Sequence, residues 1–126
     1  HEAAVRAITA GLKDLKLLKG SVDSLIEKTA YRKFFVHRTS HWLGLDVHDV
    51  GEYRVGDTWR MLEPGMVLTI EPGIYVPAHR NIPKQWHGIG IRIEDDVLVT
   101  QQGHDVLTQD APKDPAAIET LMASGN

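Results

Sequence analysis

LEPGMVLTIEPGIY, residues 62–75, and GIGIRIEDD, residues 88–96, decide the fold of this chain. In the first stretch Met66–Ile70 is an apolar strand candidate and Ile74–Val76 is another, with Glu71-Pro72-Gly73 between them. A residue before proline is pushed to extended backbone, so Glu71 ends or continues a strand. Gly73 then permits a bend or a bulge. In the second stretch Ile89, Ile91 and Ile93 alternate on one face, which leaves Gly90, Arg92 and Glu94 on the other. The strand pattern runs on to Thr100: Asp95-Asp96 interrupts the alternation and Val97, Leu98 and Val99 resume it.

Upstream the period changes. Val5, Ile8, Leu12 and Leu15 recur at spacings of three and four, the stripe of a helix facing a core. Gly11 weakens that helix, Lys16 and Lys19 suit its C-terminal dipole, and Gly20 is the natural stop. Ser21 caps a second helix with Asp23 in its first turn; it turns Val22, Leu25 and Ile26 inward and ends near Ala30. Val76–Gly88, rich in Pro, His and Asn, reads as a loop. Asp114-Pro115 opens a last short helix through Met122. Helices followed by a run of strands give an α+β domain with helices on one face of an antiparallel sheet.

Composition narrows the function. A length of 126 residues suits one domain. The 14 Lys+Arg against 17 Asp+Glu leave a net charge of −3, which argues against a basic face for nucleic acid or anionic lipid. With no cysteine, disulfide scaffolds, zinc–thiolate sites, iron–sulfur clusters and a thiol nucleophile are excluded, and a reducing compartment fits. No apolar run approaches the roughly 18 residues that span a bilayer. The chain opens on His1, not Met, which suggests a piece of a longer protein.

Seven histidines are many for this length, and His37, His41 and His48 cluster in HRTSHWLGLDVHDVG. Spacing alone leaves two readings open: hydrogen-bonded or exposed histidines, or metal ligands. Glu71 follows the apolar run Val67–Ile70. It is either a strand end in solvent or a carboxylate held inside by a cation. Glu94 is either part of a solvated sheet face with Arg92 or a ligand with a guanidinium beside it. One His and two Glu from three segments supply hard nitrogen and oxygen donors, which suit Mn, Fe, Co or Zn.

Three motifs, His37–Gly51, LEPGMVLTIEPGIY and GIGIRIEDD, together with the PxxIExLM-like last helix, closely resemble the C-terminal part of Xaa-Pro aminopeptidases (aminopeptidase P). These are metallopeptidases of the pita-bread fold, related to prolidase, methionine aminopeptidase and creatinase. Trp42 and the IRIEDD form favour the aminopeptidase P branch. The resemblance implies an α+β fold, the C-terminal half of a pita-bread domain with helices packed on a curved antiparallel sheet. It implies a dinuclear site, usually two Mn²⁺ with Co²⁺, Zn²⁺ or Fe²⁺ as substitutes, held by two Asp, one His and two Glu. His41 matches the His ligand, Glu71 the first Glu ligand and Glu94 the Glu that bridges both ions. His37 and His48 match two non-ligand active-site histidines, and Arg92 an Arg supporting the bridging Glu. Arg38 stands where many relatives have Gly.

The implied reaction is metal-assisted hydrolysis of the bond between an N-terminal residue and a following proline, on peptides with proline second. Glu71 or its hydrogen-bond network relays a proton, and an imidazole stabilises the oxyanion. The family's two Asp ligands precede its His ligand, and nothing in residues 1–126 matches them. The chain is therefore expected to be the C-terminal portion of the catalytic domain, inactive alone, from a cytoplasmic enzyme. The sheet should expose an apolar edge or face that the missing half would cover, so association with another copy, as a homo-oligomer, or poor solubility is expected. Two further readings stand beside this one: a prolidase, specific for Xaa-Pro dipeptides, and a metal-free pita-bread binding module. A cupin-like barrel lacks its His-x-His pair.

Overall fold

The computed structural model describes residues 1–125. They form an α+β chain that divides into two compact units, one of 1–40 with 71–94 and one of 41–70 with the residues from Asp95 onward. No helix among the described residues is long and apolar enough to cross a membrane.

The first unit is built on α1 (Glu2–Asp14) and α2 (Val22–Glu27), followed by a 3₁₀ turn at Ala30–Lys33. Val5, Ile8 and Leu12 point from α1 into a core completed by Tyr31, Phe34, Phe35 and Val76. The fourth stripe residue, Leu15, is exposed instead, because α1 ends before it. The stop is not Gly20. Lys16 takes a left-handed φ of 61°. The amides of Leu17 and Lys16 return to the carbonyls of Leu12 and Lys13 at 2.9 Å each, which closes the helix one turn early. Ser21 caps α2 as its sequence requires, its hydroxyl accepting from the Ser24 amide at 3.3 Å. That helix ends at Glu27, and Thr29 at φ 51° leads into the 3₁₀ turn.

Two strands complete this unit. Gly73–Tyr75 pairs antiparallel with Gly90–Arg92, in the register Gly73 with Arg92, Ile74 with Ile91 and Tyr75 with Gly90. Ile74 and Val76 reach the helical core. Ile89, Ile91 and Ile93 remain 37, 59 and 49% exposed, an uncovered apolar face in this unit.

The second unit holds a short hairpin, β1 (Arg54–Val55) with β2 (Thr58–Trp59). It also holds a three-stranded sheet in which β3 (Val67–Ile70) and β7 (Gly103–Val106) flank β6 (Asp95–Thr100), all antiparallel; the strands of the first unit are β4 (Gly73–Tyr75) and β5 (Gly90–Arg92). The last helix, α3 (Pro115–Ala123), starts where Asp114 accepts from the Ala117 amide at 3.0 Å.

The expected strand from Ile89 to Thr100 is thus two strands, broken between Arg92 and Asp95 rather than at Asp95-Asp96. The cause lies opposite the break. The Ile93 amide donates to Pro72 at 3.2 Å, but proline has no N–H to return. Asp95 and Asp96 instead open β6, aligned with Ile70 and Thr69.

Candidate metal centre

The β4·β5 register, carried one step past Gly73 and Arg92, sets Pro72 against Ile93. A second step sets Glu71 against Glu94. A carboxylate oxygen of each lies within 4.8 Å of the other. Glu71 is only 7% exposed, and its amide donates to the Thr39 carbonyl at 2.7 Å. Like charges directly opposed across a ladder destabilise it. At that separation and an effective dielectric of about 20 the repulsion is about 3 kcal/mol, less where water reaches the exposed Glu94. Burying one member of such a pair requires a compensating cation.

Arg92 provides part of that compensation. Its Nη1 lies 3.2 Å from a Glu71 oxygen. Its Nε donates to the Tyr75 hydroxyl at 2.8 Å. That bond is the main cause raising the guanidinium pKa above its ordinary value; partial burial opposes it, and the charges of Glu71 and Glu94 add to it. Two carboxylates and an imidazole nitrogen, with ligand atoms within 4.8 Å of one another, form a set of hard donors. Oxygen donors of this kind fit a hard divalent cation.

Tyr75 extends the network. Its hydroxyl is 3.0 Å from His37 Nε2, and His37 Nδ1 is 2.7 Å from the Arg38 carbonyl. A carbonyl only accepts, so Nδ1 carries the proton and donates. Nε2 shares a hydrogen bond with the Tyr75 hydroxyl, whose oxygen also accepts from Arg92. The His37 ring is held edge-on by Phe35 at 5.2 Å and Tyr75 at 5.4 Å. Gly73 and Gly90 make room for the tyrosine: a Cβ on Gly73 would stand 2.8 Å from its hydroxyl, and one on Gly90 3.2 Å from its ring. Sequence alone does not single out Tyr75. Its signal was parity, since Glu71, Gly73 and Tyr75 share the strand face that opposes Gly90, Arg92 and Glu94.

In the second unit His41 is fixed by the strand beside it. Its amide donates to the Thr69 hydroxyl at 3.1 Å, and its carbonyl accepts from the Thr69 amide at 3.0 Å. His41 Nδ1 donates to the Trp42 carbonyl at 2.9 Å, so Nε2 is the nitrogen that can present a lone pair to a metal. The exposed His48 ring packs edge-on against His41 at 4.4 Å. Trp42 stacks on Tyr53 at 5.4 Å and fills the space a Gly51 side chain would need.

The structure therefore gathers Glu71, Glu94, Arg92 and His37 in one unit, and His41 and His48 in the other. A model of metallopeptidase family M24 matches residues 1–101. The chain belongs to that family. Among M24 relatives, the Xaa-Pro aminopeptidase of Haemophilus influenzae is 53% identical over 122 residues, covering 97% of this chain and 28% of its own length. The structure of Pseudomonas aeruginosa aminopeptidase PepP is 62% identical with a TM-score of 0.95, over 98% of this chain and 28% of that one. Aminopeptidase P from E. coli has been solved with the inhibitor Pro-Leu (54% identity, TM-score 0.88, 95% of this chain and 27% of that one). Its zinc-substituted form in complex with product matches at 53% identity and TM-score 0.89, over 97% of this chain and 28% of that one. The α+β fold of this M24 chain is that of the matching part of aminopeptidase P. The chain spans just over a quarter of the length of these relatives.

Proposed function

We propose that the chain supplies His41, Glu71 and Glu94 as metal ligands to an Xaa-Pro aminopeptidase, acting on peptides with proline in the second position. The observation that carries this reading is the pair of opposed carboxylates, one of them buried, inside an M24 chain. A metal-free binding module gives no reason to bury such a charge. The divalent ions, two Mn²⁺ in this reading with Zn²⁺ as a substitute, supply an acidified water for attack on the amide carbonyl.

The protein residues do the rest. Glu71 and Glu94 hold negative charge where cations are needed, and His41 offers Nε2. Arg92 aims the Glu71 carboxylate through its contact at 3.2 Å. Tyr75, accepting from Arg92 and hydrogen-bonded to His37 Nε2, orients the His37 ring. His37 and His48 are proposed to face the substrate and the developing oxyanion. The two Asp ligands belong to the rest of the full-length enzyme, so residues 1–126 alone should turn over no substrate. A cytoplasmic, self-associating enzyme completes the reading.

The test uses the full-length enzyme loaded with Mn²⁺. Hydrolysis of a tripeptide Xaa-Pro-Yaa, lost in Glu71→Gln and Glu94→Gln, is the expected result. Activity confined to Xaa-Pro dipeptides would assign it to the prolidases instead. Unchanged turnover in both variants would remove the metal site.

A further inference from the structure

We propose that Lys113 is a positioning residue for Glu94, acting through Asp95; the proposal rests on the assignment of Glu94 as a metal ligand. Glu94 lies at the interruption of the strand. Its preceding neighbour Ile93 makes the last ladder bond to Pro72, which returns none. Beyond Glu94 the chain is tied down by the segment after β7. Lys113 Nζ stands 2.9 Å from Asp95 Oδ1 and donates to the carbonyls of Thr108 and Ala111 at 3.2 Å each, so all three ammonium protons are engaged. The Thr108 hydroxyl donates to the same Asp95 oxygen at 2.7 Å and accepts from the Asp96 amide at 3.0 Å. The Leu107 amide closes on the Asp96 carbonyl at 2.8 Å.

Four bonds therefore converge on two consecutive residues of β6, and three of them involve the Thr108 hydroxyl or the Lys113 ammonium. Both charged side chains are largely shielded, Lys113 at 30% and Asp95 at 24% exposure. Asp95 is bonded directly to Glu94, with Cα atoms about 3.8 Å apart. Fixing Asp95 limits the swing of the Glu94 backbone. The benefit is pre-organisation: a carboxylate already placed loses less freedom when a cation arrives.

Residues that orient metal ligands typically change affinity by about 10- to 100-fold when removed. The experiment is calorimetric titration of Mn²⁺ into full-length apoenzyme, at a temperature where circular dichroism shows each variant folded. Lys113→Met should weaken Mn²⁺ binding about tenfold, and Lys113→Arg should restore it. Thr108→Val removes the second donor and should move affinity in the same direction, which keeps the proposal testable if Lys113→Met does not fold. A lowered melting temperature with wild-type Mn²⁺ affinity in the folded variants would make Lys113 a structural staple and overturn the proposal. Glu94→Gln is measured alongside. Unchanged metal binding in that variant would show that the ligand assignment, not the Lys113 argument, had failed.

Discussion

At the scale of single residues, Glu71 and Glu94 pull stability and function in opposite directions. Without metal they repel across the ladder, and Arg92 pairs with only one of them. Removing one charge relieves that repulsion, so Glu94→Gln should leave the melting temperature of the full-length apoenzyme unchanged or raised. Ligand linkage should then vanish: Mn²⁺ that raises the melting temperature of the wild type should do so little or not at all in the variant. Calorimetry with and without Mn²⁺ measures both, and a variant that still gains the wild-type metal shift would contradict the argument. Tyr75→Phe tests the other arm. It deletes both hydroxyl bonds, to Arg92 and to His37. We expect kcat to fall about tenfold with KM little changed, measured by steady-state hydrolysis of an Xaa-Pro tripeptide. The two Glu were legible because an acid beside an apolar run, or on a strand face with glycine and arginine, is conspicuous. Lys113 was not, because its contact with Asp95 spans a turn and a strand and leaves no local spacing to read.

At the scale of elements, the sequence carried the type of each main element better than its ends. The α1 stripe was correct through Leu12, and the caps at Ser21 and Asp114 were legible because a side-chain oxygen three residues before an unsatisfied amide is a local device. The helix stop was misplaced because Lys16 does what glycine usually does. A non-glycine residue at φ 61° costs about 1–2 kcal/mol, which tertiary packing of Leu17 and Leu18 offsets. Lys16→Gly should therefore stabilise the protein by about 0.5–1 kcal/mol, read from urea denaturation. A destabilised variant would show that the lysine side chain outweighs its backbone strain. The β1–β2 hairpin went unread although Gly56-Asp57, with Gly56 at φ 57°, is a two-residue turn signal. Its strands are only two residues each, too short for alternation to register. The break at Pro72 is half legible: the proline marks Glu71 as extended, but the donor it withholds from Ile93 shows only once the two strands are paired.

At the scale of the whole molecule, family and fold class were legible because three long motifs survive in order. The division into two units was not. It follows from which strand pairs with which, and partners such as Ile70 and Asp95 are too far apart in sequence for periodicity to connect. The same pairing explains the uncovered isoleucines. Ile74 enters the helical core, whereas Ile91, its partner across the ladder, remains 59% exposed beside Ile89 and Ile93. Residues 1–126 alone should bury this face by self-association, since fully burying an isoleucine side chain is worth about 1.5–3 kcal/mol. Sedimentation velocity of the isolated chain should show mass rising with concentration. Replacing Ile91 and Ile93 together by Thr, which keeps the β-branched shape suited to a strand, should shift the chain toward monomer with little loss of helical circular dichroism. A wild-type chain that stays monomeric across the accessible concentration range would mean that this face is no association surface.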